Sequence, residues 1–183
     1  IKNKKLYKKN VLDIGIGRGG DLLKFFVAGV SKIVGIDVDN TGFTIPNGTN
    51  DKFKKLKSKK NYSLTVLSQN DIKSHNMEGA FIQMDISEET DLSIQEKVFP
   101  NMDENNKKLI KDNVKDLTFD SINCQFTIHY MFNSENRIKQ LFTNVNKLLK
   151  PNGFMLISCF DGDSIIQKLN ENNGEFSISY INN

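Results

Sequence analysis

The chain is poor in the residues that carry metal and disulfide chemistry. Its 183 residues include two cysteines, Cys124 and Cys159, and two histidines, His75 and His129. No C-x-x-C pair and no metal-ligand spacing occurs, so neither a zinc module nor a disulfide scaffold is indicated, and no metal is expected. Both cysteines lie in apolar, strand-like runs and are expected to be buried, reduced thiols. No segment approaches the roughly 20 apolar residues that would span a bilayer, and no signal peptide is evident. A nucleophile elbow of the G-x-S-x-G type and a Walker lysine are both missing. The first residue is Ile1 rather than Met, so a piece of a longer polypeptide is expected.

What is present suits a globular domain with a core of its own. Apolar residues make up 38% of the chain and charged residues 26%, for a net charge of +3. Lysine is nonetheless concentrated locally. Lys2, Lys4, Lys5, Lys8 and Lys9 form one basic patch, and Lys52, Lys54, Lys55, Lys57, Lys59 and Lys60 form another. The second is either a solvated helix face or a contact for a phosphate backbone. Two such patches on a chain of low net charge make an anionic substrate plausible.

Short apolar runs alternate with longer segments of helical period. Strands are expected at Asn10–Ile14, Lys32–Asp37, Gly79–Met84, Ser121–Gln125, Phe154–Cys159 and Phe176–Ile181. Helices are expected at Asp21–Ala28, Asp51–Lys60, within Leu92–Asp116 and at Ser134–Leu149. Ser134 is a good N-cap, and Pro151-Asn152-Gly153 is expected to end the helix that it opens. This alternation implies an α/β fold, a doubly wound, mostly parallel sheet covered on both faces. The chain is expected to be a single domain over 1–183, with insertions or loops at 40–77 and 88–116.

The run from Val11 to Phe25 carries the strongest chemical signal. An apolar strand containing Asp13 leads into a turn with Gly15, Gly17, Gly19 and Gly20, and a helix follows. A backbone without Cβ atoms admits a ligand closely, and the helix start adds N–H donors. Gly15, Gly17 and Gly20 satisfy G-x-G-x-x-G, and Asp37 lies about 20 residues on, where a ribose-binding acid belongs. Taken alone, the spacing fits a nicotinamide dinucleotide or S-adenosylmethionine. Asp13 favours the second, because an acid there would repel a pyrophosphate and suit the ammonium of a methionine. In such a sheet ligands bind at the carboxyl ends of the strands. Asp37 is expected to accept from a ribose diol. Asp85 is expected to accept from an adenine amine, with Met84 or Ile86 beside the ring. Asp39 is read as a turn residue or a ligand contact, and Asp161 and Asp163 follow a further strand. The run Gln125, Phe126, His129, Tyr130 and Phe132 would put polar and aromatic groups over the reactive end of the cofactor. His75 is taken as a surface residue.

These motifs, in this order, resemble the mRNA cap guanine-N7 methyltransferases. The resemblance rests on Asp13-Ile14-Gly15-Ile16-Gly17-Arg18-Gly19-Gly20-Asp21-Leu22, on Gly35-Ile36-Asp37, on Phe81-Ile82-Gln83-Met84-Asp85, and on Asn123-Cys124-Gln125-Phe126-Thr127-Ile128-His129-Tyr130-Met131-Phe132. Leu149-Lys150-Pro151-Asn152-Gly153 is a broader mark of class I S-adenosylmethionine methyltransferases. Asp161-Gly162-Asp163 looks more like the capping enzymes of large DNA viruses. The resemblance implies a Rossmann-like fold and S-adenosylmethionine as cofactor, bound by Asp13, Gly15, Gly17, Asp37, Asp85, Gln125 and Tyr130. It implies a guanine pocket bordered by His129 and Tyr130, and cap phosphates met by Arg18 and Lys24. It further implies capped mRNA as substrate, other capping-enzyme domains or an activating subunit as partners, no membrane association, and an intracellular site, cytoplasmic (a viral factory) or nuclear. Members of the family continue beyond the last expected strand, so the cap site is expected to be incomplete here.

Overall fold

Strand β1 (Asn10–Ile14) is buried from Val11 to Ile14 and apolar there except at Asp13, as befits a strand at the centre of a parallel sheet. It lies between β2 (Lys32–Asp37) and β4 (Phe119–Gln125), with β3 (Glu78–Gln83) outside β2 and β5 (Leu149–Ser158) outside β4. All four pairings are parallel, giving the order β3-β2-β1-β4-β5. This computed structural model describes residue 6 and residues 8–58, 76–88 and 118–175. Successive strands step outward from β1 to β3 and then return to the other side of β1. The crevice between β1 and β4 is therefore the topological switch point, where ligands bind in open α/β sheets.

Alternating side chains divide the core in two. On one face Leu12, Ile14, Val34, Ile36, Ile82 and Ile122 meet Leu141 and Val145 of helix α4 (Glu135–Leu148). On the other, Val11, Ile33 and Phe81 meet Phe25 and Phe26 of α1 (Leu22–Ala28) and Phe53 and Leu56 of α3 (Thr49–Ser58). Gly29 ends α1 in a left-handed conformation, φ 78°, with its N–H on the carbonyls of Phe25 and Phe26. Ser134 caps α4 as expected, accepting from the Arg137 N–H at 3.3 Å.

Four expectations are corrected. The stretch 40–50 was expected as a loop, but it folds into α2 (Thr41–Thr44) and the start of α3. Burial of Phe43 against Phe81, ring centroids 6.4 Å apart, draws it onto the core. Of the stretch 40–77, expected as an insertion or loop, residues 41–44 and 49–58 are therefore helical. Strand β5 begins at Leu149, ahead of Pro151-Asn152-Gly153, rather than at Phe154. The ladder jumps from Phe119 opposite Leu149 to Ser121 opposite Phe154, so the tripeptide is absorbed as a bulge in the outermost of the described strands, where proline is tolerated. A helix not anticipated, α5 (Gly162–Glu171), follows β5. Cys159 is exposed, although Cys124 is buried as expected, because Cys159 lies just past the last paired residue of β5. The strand expected at Phe176–Ile181, the helix expected within Leu92–Asp116, His75, and residues 59–75 and 89–117 lie outside the described residues.

Candidate cofactor and substrate site

The turn after β1 folds back on β2. The N–H groups of Gly15 and Ile16 both reach the Ile36 carbonyl, at 2.8 and 3.2 Å. Gly15 has φ 74°, and a Cβ there would lie 2.0 Å from Thr127 Oγ1 in the segment after β4. Thus the first glycine lets β1 and the β4 end close on each other across the switch point. Gly17 is different. It has φ 49°, and a Cβ would meet only Asp37 Oδ2, at 3.9 Å, so open space lies over its backbone.

Asp37, the last residue of β2, spans this turn. Its Oδ2 accepts from the Gly17 N–H at 2.8 Å and its Oδ1 from the Asp39 N–H at 3.1 Å. Asp39 holds the turn that follows. It accepts from the N–H and hydroxyl of Thr41 at 2.9 and 2.6 Å, and these bonds hold its carboxyl below the ordinary range.

Asp13 lies beneath the turn, 4% exposed, with Oδ1 accepting from Asn123 Nδ2 at 2.7 Å. The bond continues a chain across three strands. Gln125 Nε2 donates to Asn123 Oδ1 at 2.8 Å, and Ser158 Oγ donates to Gln125 Oε1 at 2.5 Å. Asp13 faces Asn123, and Gln125 faces Ser158, in the strand register, which is why these side chains meet. Burial pushes the Asp13 carboxyl up to about 7; the Asn123 bond opposes this, and repulsion from Asp21 and Asp37 adds to it.

Asp85 sits two residues past β3 and is already engaged. The N–H and hydroxyl of Ser87 reach its Oδ1 at 2.9 and 2.5 Å, and Arg137 of α4 bonds its Oδ2. Burial disfavours its charge, but these donors outweigh it and hold the carboxyl below the usual range. Met84 and Ile86, expected beside a nucleobase, are core residues, 8% and 2% exposed. Their alternation toward α4 explains the correction. Val38, 60% exposed between Asp37 and Asp39, is the apolar side chain open to a ring on this edge, and its carbonyl is held by Gln83 Nε2 at 3.0 Å.

Past β4 the backbone turns at Phe126, φ 51°, into a short 3-10 helix, Ile128–Met131. This packs the His129 ring on Tyr130, centroids 4.1 Å apart, and on Phe160, 5.5 Å apart, while Phe160 also meets Phe126 at 5.3 Å. Tyr130 is 70% exposed and Phe126, Phe132 and Phe160 are exposed with it. His129 Nδ1 is buried without a hydrogen-bond partner among the described residues. Arg18 is exposed at the turn, and Lys24 pairs with Asp21 at 2.6 Å, a bond that raises the lysine pKa. Asp161, expected at a strand end, caps α5 by accepting from Ser164.

One sheet edge therefore gathers Asp13, Gly15, Gly17, Asp37, Asp85 and Gln125 around the switch point, with His129 and Tyr130 beyond it. Sequence reasoning missed Ser158, Arg137, Phe160 and Val38, and gave Asn123, part of the run that carries the resemblance, no role of its own. Phe160 and Val38 could have been found as residues directly following strand ends. The others are recognised only by the partners they reach.

The chain matches the family model described as "mRNA (guanine-N(7))-methyltransferase domain" over residues 1–181. It is 42% identical over 174 residues to the "Probable mRNA-capping enzyme" of Acanthamoeba polyphaga mimivirus, covering 94% of this chain and 14% of that protein. It is 28% identical over 163 residues to the "mRNA cap guanine-N(7) methyltransferase" of Saccharomyces cerevisiae, covering 88% of this chain and 29% of that protein. The chain thus spans less than a third of either relative. An S-adenosylmethionine-dependent methyltransferase from Clostridium acetobutylicum has a similar fold, with a TM-score of 0.54 at 16% identity, covering 90% of this chain and 48% of that one.

Proposed function

We propose, from the premise that this chain belongs to the mRNA (guanine-N(7))-methyltransferase family, that it methylates N7 of the guanine that caps mRNA, converting GpppN to m7GpppN. The observation that carries the proposal is the close approach, across the β1–β4 switch point, of Gly15 to Thr127, the residue that leads into the His129–Tyr130–Phe160 cluster, with Asp37 bonded to the same glycine turn. The family's cofactor, S-adenosylmethionine, fits the donor set: open backbone at Gly17, a carboxylate at Asp37 for a ribose diol, and an acid at Asp13 for an ammonium. When bound, it supplies an electrophilic methyl group.

The side chains then divide the work. Asp37 exchanges its bond to the Gly17 N–H for ribose hydroxyls. Asp85, held by Arg137 and Ser87, presents a carboxylate to the adenine amine, and Val38 covers the ring. Gln125 is fixed by Asn123 and Ser158 at the end of β4, and Tyr130, on the 3-10 helix that follows, would line the same side of the site. Guanine N7 carries a lone pair and no proton, so no general base is required. His129 and Tyr130 wall and orient the base, and their ring faces favour the positive charge that methylation leaves on it. Arg18 and Lys24 flank the turn as contacts for cap phosphates. Other capping domains or an activating subunit as partners, and a cytoplasmic (viral factory) or nuclear site, belong to the same proposal.

Calorimetric titration with S-adenosylhomocysteine, followed by a GpppA cap analogue, tests it. Micromolar binding of the first and added binding of the second support the assignment. Binding of NAD in place of S-adenosylhomocysteine would refute it.

A further inference from the structure

The strongest feature that this function does not absorb is the lysine face of α3. The helix carries Lys52, Lys54, Lys55 and Lys57 in ten residues. Like charges sit at i,i+3 spacing (Lys52 with Lys55, Lys54 with Lys57), which destabilises a helix unless acids offset it. Six described lysines elsewhere are offset: Lys9 and Lys150 by Asp120, Lys24 by Asp21, Lys32 by Glu78, Lys139 by Glu135 and Lys168 by Glu171. On α3, among the described residues, no lysine pairs with an acid. Lys52 Nζ rests on the Arg18 carbonyl at 2.7 Å and Lys55 Nζ on Asn47 Oδ1 at 2.7 Å, while Lys57 lies over the Phe53 ring at 5.8 Å. The helix's own acid, Asp51, accepts from the Asn47 N–H instead.

Position gives this charge a purpose. Thr49 Oγ1 donates to the Gly17 carbonyl at 2.7 Å, and Lys52 holds the next carbonyl, so α3 is fastened to the outer side of the glycine turn. Phe53 and Leu56 are buried against the sheet, which leaves Lys54, Lys55 and Lys57 facing solvent. Through the Lys52 bond, exposed Arg18 lies beside the start of a lysine-bearing helix about 15 Å long. The exposed face of α3 has no aromatic or aliphatic anchor of the kind that dominates protein–protein binding. A phosphate backbone needs only charge, and its recognition is indifferent to sequence. That indifference suits an enzyme whose substrates share a cap and differ in everything after it.

We propose that the outer face of α3 is a track for the RNA chain immediately downstream of the cap triphosphate. It rests on the cap-methyltransferase assignment for its geometry. The test compares the wild-type protein with Lys54→Gln/Lys55→Gln/Lys57→Gln and with the charge-preserving Lys54→Arg/Lys55→Arg/Lys57→Arg. Methylation is followed on the GpppG dinucleotide and on a capped RNA, and binding of the same RNA uncapped is followed against salt.

With RNA of about 20 nucleotides, the glutamine variant is expected to raise KM about ten-fold or more and to flatten the slope of log K against log salt by about 2, for three lost phosphate contacts. Its kcat/KM on GpppG is expected to stay at the wild-type value, and the arginine variant to behave as wild type in both assays. An unchanged RNA KM and salt slope in the glutamine variant would overturn the track while leaving cap methylation intact. Equal loss of polyglutamate and RNA binding in that variant would also overturn it, in favour of an acidic protein partner. Lysine-dependent RNA binding without methylation of either capped substrate would uphold an RNA-binding face on α3 but refute the enzymatic assignment, and with it the placement of that face downstream of a cap.

Discussion

Arg137 of α4 and Asp85 of the loop after β3 form an ion pair that ties two elements on opposite sides of the switch point. Arg137 Nη1 also lies 4.0 Å from Glu88, and Asn144, two turns further along α4, donates to the carbonyls of Ile86 and Glu88 at 2.7 and 2.8 Å. One helix face therefore sets the position of the loop that carries the proposed adenine acceptor.

Arg137→Met is expected to weaken S-adenosylhomocysteine binding about ten-fold, as loss of a charge-assisted bond at a partly buried carboxylate does. With the guanidinium gone, burial acts on Asp85 against fewer donors, and its carboxyl pKa is expected to rise. Because the wild-type value is depressed, the stability that Asp85 contributes is present above its unfolded pKa and lost as the solution becomes more acid. The variant should lose that contribution at a higher pH. Calorimetry at two pH values checks both effects, and equal affinity in the two proteins would sink the positioning role.

Asp37→Ala is expected to cost roughly 1.5–3 kcal/mol of cofactor binding, the scale of a lost charge-assisted hydrogen-bonding group. It also strips the Gly17 N–H of its acceptor. The loss should appear in the affinity for S-adenosylhomocysteine, with the KM for capped substrate at saturating cofactor changed little.

The four glycines of the turn should respond unequally to alanine. Gly15→Ala meets Thr127 at 2.0 Å and a left-handed φ together, and about 2–4 kcal/mol of destabilisation is expected. Adding Thr127→Gly should recover the steric part alone. Gly20→Ala meets nothing within 4 Å and should be close to neutral. Urea unfolding of the three variants measures this, and a neutral Gly15→Ala would contradict the packing described.

Asp13 predicts an unusual pH dependence. Its carboxyl is raised from 3.8 to about 7 by burial. Between those values the native chain holds a proton that the unfolded chain has released, so stability falls as pH rises through the window. Over about pH 5 to 7 the loss amounts to a few kcal/mol in total, since each unit is worth 1.36 kcal/mol. Asp13→Asn carries no charge and should remove the fall. Denaturant titrations of both proteins across that range decide the matter, and parallel curves would show that Asp13 is ionised throughout.

Much of the fold was legible from local pattern. Continuous apolar runs placed β1 and β2 at their observed bounds, and Ser134 marked the start of α4. The glycine turn and Asp37 could be joined in advance because an acid about 20 residues past the turn falls at the end of the next parallel strand. Nothing local distinguished α2 from a loop, since its four residues are drawn in by Phe43 reaching Phe81.

The order of residues along the chain by itself determined the strands, the turn chemistry and the acids at the sheet edge, because each follows from periodicity, Cβ sterics or charge within a few positions. Only the tertiary structure decided which groups those acids would meet. Asn123 stands 110 residues from Asp13, Arg137 stands 52 from Asp85, and Thr127 reaches Gly15 through strand pairing. Such contacts are set by the parallel register, which brings together residues that no local pattern relates.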